Sequence, residues 1–231
     1  TEIEFFTDFT QGILARSGAE ENFTRSIFLE HICSLLETEG VITGFNLTEH
    51  KMTAGRRGQA VDAWSFDEDR SCLTLVIADY RSSENMESLT KTDIENGFKR
   101  LRNFVSSVID IDFVRSLEES VSGLAWFIQG SPESIAKVQL ILVSNAMMSS
   151  RMAELPADTA GNYPTSYDVW DFGRLYRNEI SGKTREDVEI SFEHLDGGGA
   201  PCLPAYTGND IIKSYLMVMP GKILAELYDK H

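Results

Sequence analysis

Apolar positions recur at helical spacing near the start of the chain, where Phe5, Phe6, Phe9, Ile13 and Leu14 predict a helix over 3–17. A second helix is predicted from Asn22, read as its cap, to Glu39, with Phe28, Ile32, Leu35 and Leu36 apolar and Gly40 as its stop. A strand is expected at 41–49, followed by the loop TAGRRGQ. AVDAWSF at 60–66 and CLTLVIADY at 72–80 then read as two strands joined by the turn-like DEDRS, an antiparallel hairpin. Closing that turn sets Phe66 near Cys72 and Asp62 near Val76. An amphipathic helix follows over 92–109, its apolar face made by Ile94, Phe98, Leu101, Val105 and Val108. A shorter helical stretch spans 112–128, and KVQLILVSN at 137–145 has the unbroken hydrophobicity of a strand covered on both faces. After an exposed loop at 150–165 come a helix at 167–180, a strand at 188–194, a Gly/Pro-rich loop through 204 and a strand at 211–219. This order predicts an α/β fold, an α+β mixed sheet with helices on both faces, as a single domain over 1–231.

Composition narrows the class. The 231 residues are 42% hydrophobic and 25% charged, a globular rather than disordered balance. The longest apolar runs, VQLILV and YLMVM, are too short to span a bilayer, so no membrane partner is expected. Asp and Glu outnumber Lys and Arg by 36 to 21, for a net charge of -15. That balance argues against gripping nucleic acid by general electrostatics, which rests on Lys and Arg. It leaves room for a metal-dependent site, because a bound cation inverts the local field. Cys33, Cys72 and Cys202 have no metal-ligand spacing and read as reduced thiols of a cytoplasmic protein. The chain opens at Thr1 without a leader pattern and stops inside the helical pattern KILAELYDKH, which reads as an excised piece of a longer protein.

Candidate chemistry clusters around the hairpin. In LTLVIADYR, strand alternation places Leu73, Leu75, Ile77, Asp79 and Arg81 on one face, so a carboxylate and a cation end an apolar row. Asp62 interrupts the neighbouring strand, and Glu30 lies on the preceding helix. Three carboxylates near one hairpin suit a hard cation such as magnesium or manganese. Arg56 and Arg57 in the loop, and the basic run at 99–102, are candidate phosphate contacts.

This order of helical Glu, hairpin Asp and strand-end Asp-x-Arg resembles the PD-(D/E)xK nuclease core. More of the chain resembles the amino-terminal part of abortive-infection phage-resistance (AIPR) proteins. The segments that carry the likeness are QAVDAWSFDEDRSCLTLVIADYRS, LTKTDIENGFKRLRNF, YDVWDFGRLYRNEISGKTREDVEISF and SYLMVMPGKILAELYDKH. The resemblance implies a bacterial defence protein with a restriction-endonuclease-like domain. It also implies a magnesium- or manganese-dependent phosphodiesterase site, with Asp62 and Asp79 on the metal, Glu30 as outer ligand and Arg81 on the phosphate. The implied partners are nucleic acid as substrate, the carboxy-terminal remainder of the protein and a second copy in a homodimer. Where the motif has lysine, this chain has Arg81, which stays charged at any accessible pH and cannot act as a base. Lys91 and Lys99 are the alternative sources of a lysine. The competing expectation is a catalytically degenerate domain of the same fold that senses, scaffolds or dimerises.

Overall fold

Thr1 opens the first helix by accepting a hydrogen bond from the Glu4 backbone while the Glu4 carboxylate reaches back, and Gly18 in the left-handed region closes it. This helix, α1 (Glu2–Ser17), packs on α2 (Glu21–Thr38), which starts one residue before the expected cap Asn22. In this computed structural model the described residues are 1–18, 21–52, 58–83, 85–148, 159–183, 201–205, 214–218 and 221. Three strands follow, β1 (Asn46–Met52), β2 (Gln59–Asp67) and β3 (Cys72–Asp79). Next come the short β4 (Ser88–Leu89), then α3 (Lys91–Ser107), α4 (Ile111–Arg115) and α5 (Glu119–Gly130). The first unit ends with β5 (Lys137–Ser144), the short β6 (Met147–Met148), β7 (Thr165–Trp170) and α6 (Phe172–Lys183).

The sheet runs in the order β1-β2-β3-β5-β7. Its first three strands form an antiparallel meander, and β3, β5 and β7 are mutually parallel. A parallel pair needs a crossover, and α3, α4 and α5 supply it between β3 and β5. Helices cover both faces. On one, Val61, Leu73, Leu75 and Ile77 meet Ile94, Phe98, Leu101 and Phe104 of α3. On the other, Ala63, Val76, Ile141 and Val143 meet Phe28, Leu29, Ile32 and Leu36 of α2. Cys33 lies in this second layer, where burial first and the Asp62 charge second push its thiol up to about 12. The mixed α/β architecture is therefore the expected one and is consistent with a nuclease-like α+β fold.

Several elements differ from their sequence patterns. The first strand begins at Asn46, because Val41–Phe45 is spent on bends around Gly40 and Gly44, both at positive φ. The 112–128 stretch is two helices, broken after Arg115. YDVW, expected to be helical, is the edge strand β7, paired in parallel with β5 from Val138↔Thr165 to Val143↔Trp170. Asp171 then ends the strand and starts α6, its Oδ1 accepting the Arg174 N–H at 3.0 Å. Tertiary pairing with an already buried strand outweighs the aromatic spacing that suits either state. The expected strand at 188–194 lies outside the described residues.

The chain divides into two compact units, Thr1–Lys183 and Thr184–His231. In the second, β8 (Cys202–Ala205) pairs antiparallel with β9 (Ser214–Met217), where a loop was expected through 204. Among the described residues no helix is long and apolar enough to cross a membrane.

α3 approaches the sheet most closely at Gly97, where an added Cβ would meet Leu142 Cδ1 at 2.5 Å and Ile77 Cγ2 at 3.6 Å. Gly97→Val should therefore overpack this contact and lower unfolding stability by about 1–3 kcal/mol, read as an earlier midpoint in urea.

Candidate functional site

The end of the hairpin is shaped by a β-bulge. Leu47 pairs with Ala63 and His50 with Val61, so Thr48 and Glu49 together face the single residue Asp62. Glu49 takes φ of 47°, a left-handed conformation that costs a side-chain-bearing residue roughly 1 kcal/mol or more. The β2–β3 ladder runs from Asp67↔Cys72 through Phe66↔Leu73 to Ala63↔Val76, one residue offset from the expected register. Past Ala63 the Asp62 carboxylate takes over from the ladder, its Oδ2 accepting the Ala78 N–H at 2.7 Å. Asp62 thus reaches the residue beside Asp79 rather than Val76.

Asp62 is 1% exposed, so its charge has lost its water and needs a partner. The partner is Arg25 of α2, whose Nη2 donates to Asp62 Oδ2 at 2.6 Å and reaches the Ala78 carbonyl at 3.4 Å. Arg25 Nη1 lies 3.7 Å from Glu49 Oε2, which also accepts from Ser26 Oγ at 2.8 Å. Asp62 Oδ1 has no hydrogen-bond partner among the described residues.

Arg81 forms a second centre. Its Nε donates to Asp79 Oδ2 at 3.1 Å, its Nη1 to Glu87 at 3.1 Å and to the Ser88 carbonyl at 2.9 Å, and its Nη2 to Asp93 at 3.0 Å. The Arg81 backbone is bracketed by Asn145, which accepts its N–H at 2.9 Å and donates to its carbonyl at 2.8 Å. Ser144 Oγ donates to the Asp79 carbonyl at 2.8 Å. Partial burial works against the Arg81 charge, but Asp79, Asp93 and Glu87 together hold its pKa above the ordinary value. The Thr90 hydroxyl and backbone N–H, and then Arg81, hold Asp93 below the usual carboxylate range. Asp93 and Thr90 are also the capping box of α3, so this hub ties the end of β3 to the start of that helix.

Asp62 is thus joined to α2, while Asp79 is joined through Arg81 to the first turn of α3 on the other side of the sheet. Glu30 is exposed on α2, in line with Ser34 and Glu37 rather than with the buried row Phe28, Ile32 and Leu36. Lys91 is exposed and lies 3.7 Å from Glu95, and Lys99 is exposed on α3. Arg56 and Arg57 lie outside the described residues. The residues missed in the sequence are Arg25, Glu49, Glu87, Asp93 and Asn145. Only Arg25 left a signal: it lies one helical turn before Leu29, in the apolar row that continues through Ile32 and Leu36.

A magnesium or manganese ion shared by Asp62 and Asp79 would have to displace a guanidinium from each carboxylate. Oδ2 of each carboxylate already accepts a guanidinium, and the two residues are drawn to different helices. Among the described residues no three His, Cys, Asp or Glu side chains gather into a metal-binding group.

The architecture defines a mixed α/β domain, a five-stranded sheet with helices on both faces and a polar cluster at the end of its hairpin. The family model for the abortive infection phage resistance protein N-terminal domain matches residues 28–177, and the chain belongs to that family. No curated protein and no solved structure matches it.

Arg81 is 20% exposed on its side chain, and its loss would leave Asp79, Glu87 and Asp93 facing one another. Arg81→Ala should cost about 1–3 kcal/mol in denaturant unfolding near neutral pH. The depressed pKa of Asp93 gives a stabilising contribution that is present above the ordinary carboxylate value near ~3.9 and is lost as pH falls through its lower folded value. Below about pH 4 the wild-type stability curve should therefore fall more steeply than that of Asp93→Asn.

Proposed function

We propose that this domain serves phage defence as a catalytically degenerate nuclease-type fold, a sensor or scaffold that does not itself cleave phosphodiesters. Family membership supports the defence role. The observation that carries the rest is the 2.6 Å pair between Arg25 and buried Asp62, a cation built into the chain where the nuclease reading requires an exchangeable metal. Arg81 adds to it. A hydrolytic site needs a group that positions and deprotonates water, and a guanidinium fixed by three carboxylates supplies only permanent charge.

One observation favours the metal-dependent nuclease as a second reading: the buried and unpartnered Oδ1 of Asp62 is an oxygen suited to a cation. In that reading Asp62 and Asp79 hold the metal, Glu30 orients water, Arg81 meets the phosphate and the chain binds nucleic acid.

Cleavage assays in manganese decide between the two. Wild type, Arg81→Lys and Asp79→Ala should be equally inactive on single- and double-stranded DNA and RNA while remaining folded by circular dichroism. Wild-type cleavage that Asp79→Ala or Asp62→Asn removes would overturn the degenerate reading.

A further inference from the structure

A cavity of about 390 Å³, within the size range of small-molecule sites, lies near the start of the parallel strands. Its lining residues precede β5 and β7 in the chain, whereas Asp79, Arg81 and Asn145 lie at or past the opposite strand ends. Val105, Val108 and Ile109 from the end of α3, Ile128 from the end of α5 and Pro132 in the turn beyond it make the walls apolar. Gly161, at φ of 60°, borders another side against α3, where an added Cβ would stand 3.4 Å from Val105 Cγ1. The polar character of the cavity has one sign. The last turns of α3 and α5 both border it, and a helix C-terminus carries the negative end of the backbone dipole. Lys, Arg or His often meets that end, yet neither helix has a basic residue in its last turn. Glu133 adds a carboxylate at the rim, and none of the described lining residues is basic. Tyr163 contributes an aromatic ring, a surface that attracts cations.

We propose that this cavity binds a small organic cation, an amine whose apolar body fills the cleft between α3 and α5 and whose ammonium lies at the Glu133 rim beside the two helix ends. The apolar body leaves water for Val108 and Ile128, which supplies the driving force. Glu133 is exposed, so the ammonium keeps part of its hydration and avoids the full cost of burying a charge. An anion of the same shape would meet two negative helix ends and a carboxylate, in a chain of net charge -15. The proposal goes beyond the defence reading: it uses none of Asp62, Asp79 and Arg81 and stands whether or not the domain cleaves phosphodiesters. α3 extends about 25 Å from its capping box beside Arg81 to this cavity, so the two places share a helix and no side chain.

The test uses phenethylamine and hexylamine as cations, with phenethyl alcohol and phenylacetate as the neutral and anionic matches. Binding to wild type, Glu133→Gln, Ile109→Trp and Pro132→Trp is read by isothermal calorimetry and by melting temperature, which a ligand specific to the folded state raises. Ile109 is 68% exposed and Pro132 is exposed, so an indole at either position obstructs the cleft without entering the core. Wild type should bind each amine at one site and melt later in its presence, the alcohol should bind about ten-fold more weakly, and phenylacetate should give no signal. Glu133→Gln should weaken the amines several-fold and leave the alcohol unchanged. Either Trp variant, folded by circular dichroism, should lose amine binding. Wild type that binds neither amine, an alcohol that binds as tightly as the amine, or amine binding that the Trp variants leave unchanged overturns the proposal.

Discussion

A carboxylate with almost no exposure to water cannot remain charged in a protein interior unless hydrogen bonds and an opposite charge replace its hydration. Asp62 is such a group, and the end of the hairpin is organised around meeting it. The Ala78 N–H that would otherwise look for a ladder partner turns to its Oδ2, and α2 delivers Arg25 to the same oxygen. The bulge in β1 makes room opposite it and brings Glu49 to the far side of the guanidinium. One buried charge thereby couples α2 to the three strands that follow it in the chain.

The second guanidinium does comparable work on the opposite side of the sheet. Arg81 lies two residues past the end of β3 and connects Asp79, the Glu87–Ser88 segment and the capping box of α3. Asn145 holds its backbone from the end of the parallel neighbour β5. These links fix where α3 begins, and α3 carries the face that covers Leu73, Leu75 and Ile77. Both centres use cations that belong to the chain. A tethered cation is always present and needs no ion from solution, which suits structure and recognition.

The sequence by itself settled the elements whose periodicity had one interpretation. α1, α2 and α3 follow their apolar spacing, β2 and β3 are bounded by turn residues, and the unbroken run in β5 declares a strand buried on both faces. The AIPR relationship was legible in QAVDAWSFDEDRSCLTLVIADYRS and LTKTDIENGFKRLRNF, both of which lie inside the family match over residues 28–177. Segments that satisfy two periods were not legible. YDVW places its aromatics where a helix or a strand could use them, and only the free edge of β5 makes it a strand.

The candidate site was legible in type and not in arrangement. Asp62, Asp79 and Arg81 stood out because charge interrupts apolar rows, and all three are engaged at the end of the hairpin. Their partners were decided by tertiary structure: Glu49 arrives through a bulge with no glycine or asparagine to announce it, and Glu87 and Asp93 arrive through the fold of the 81–93 segment. The expected register of Asp62 opposite Val76 also differs from the structure. The β2–β3 ladder stops at Ala63, and past that point the side chain bonds the neighbouring backbone instead of projecting from a regular pleat. A sequence fixes which residues are charged and which prefer burial; which charges meet depends on bulges, register and helix placement, and those are set by the packing of the whole domain.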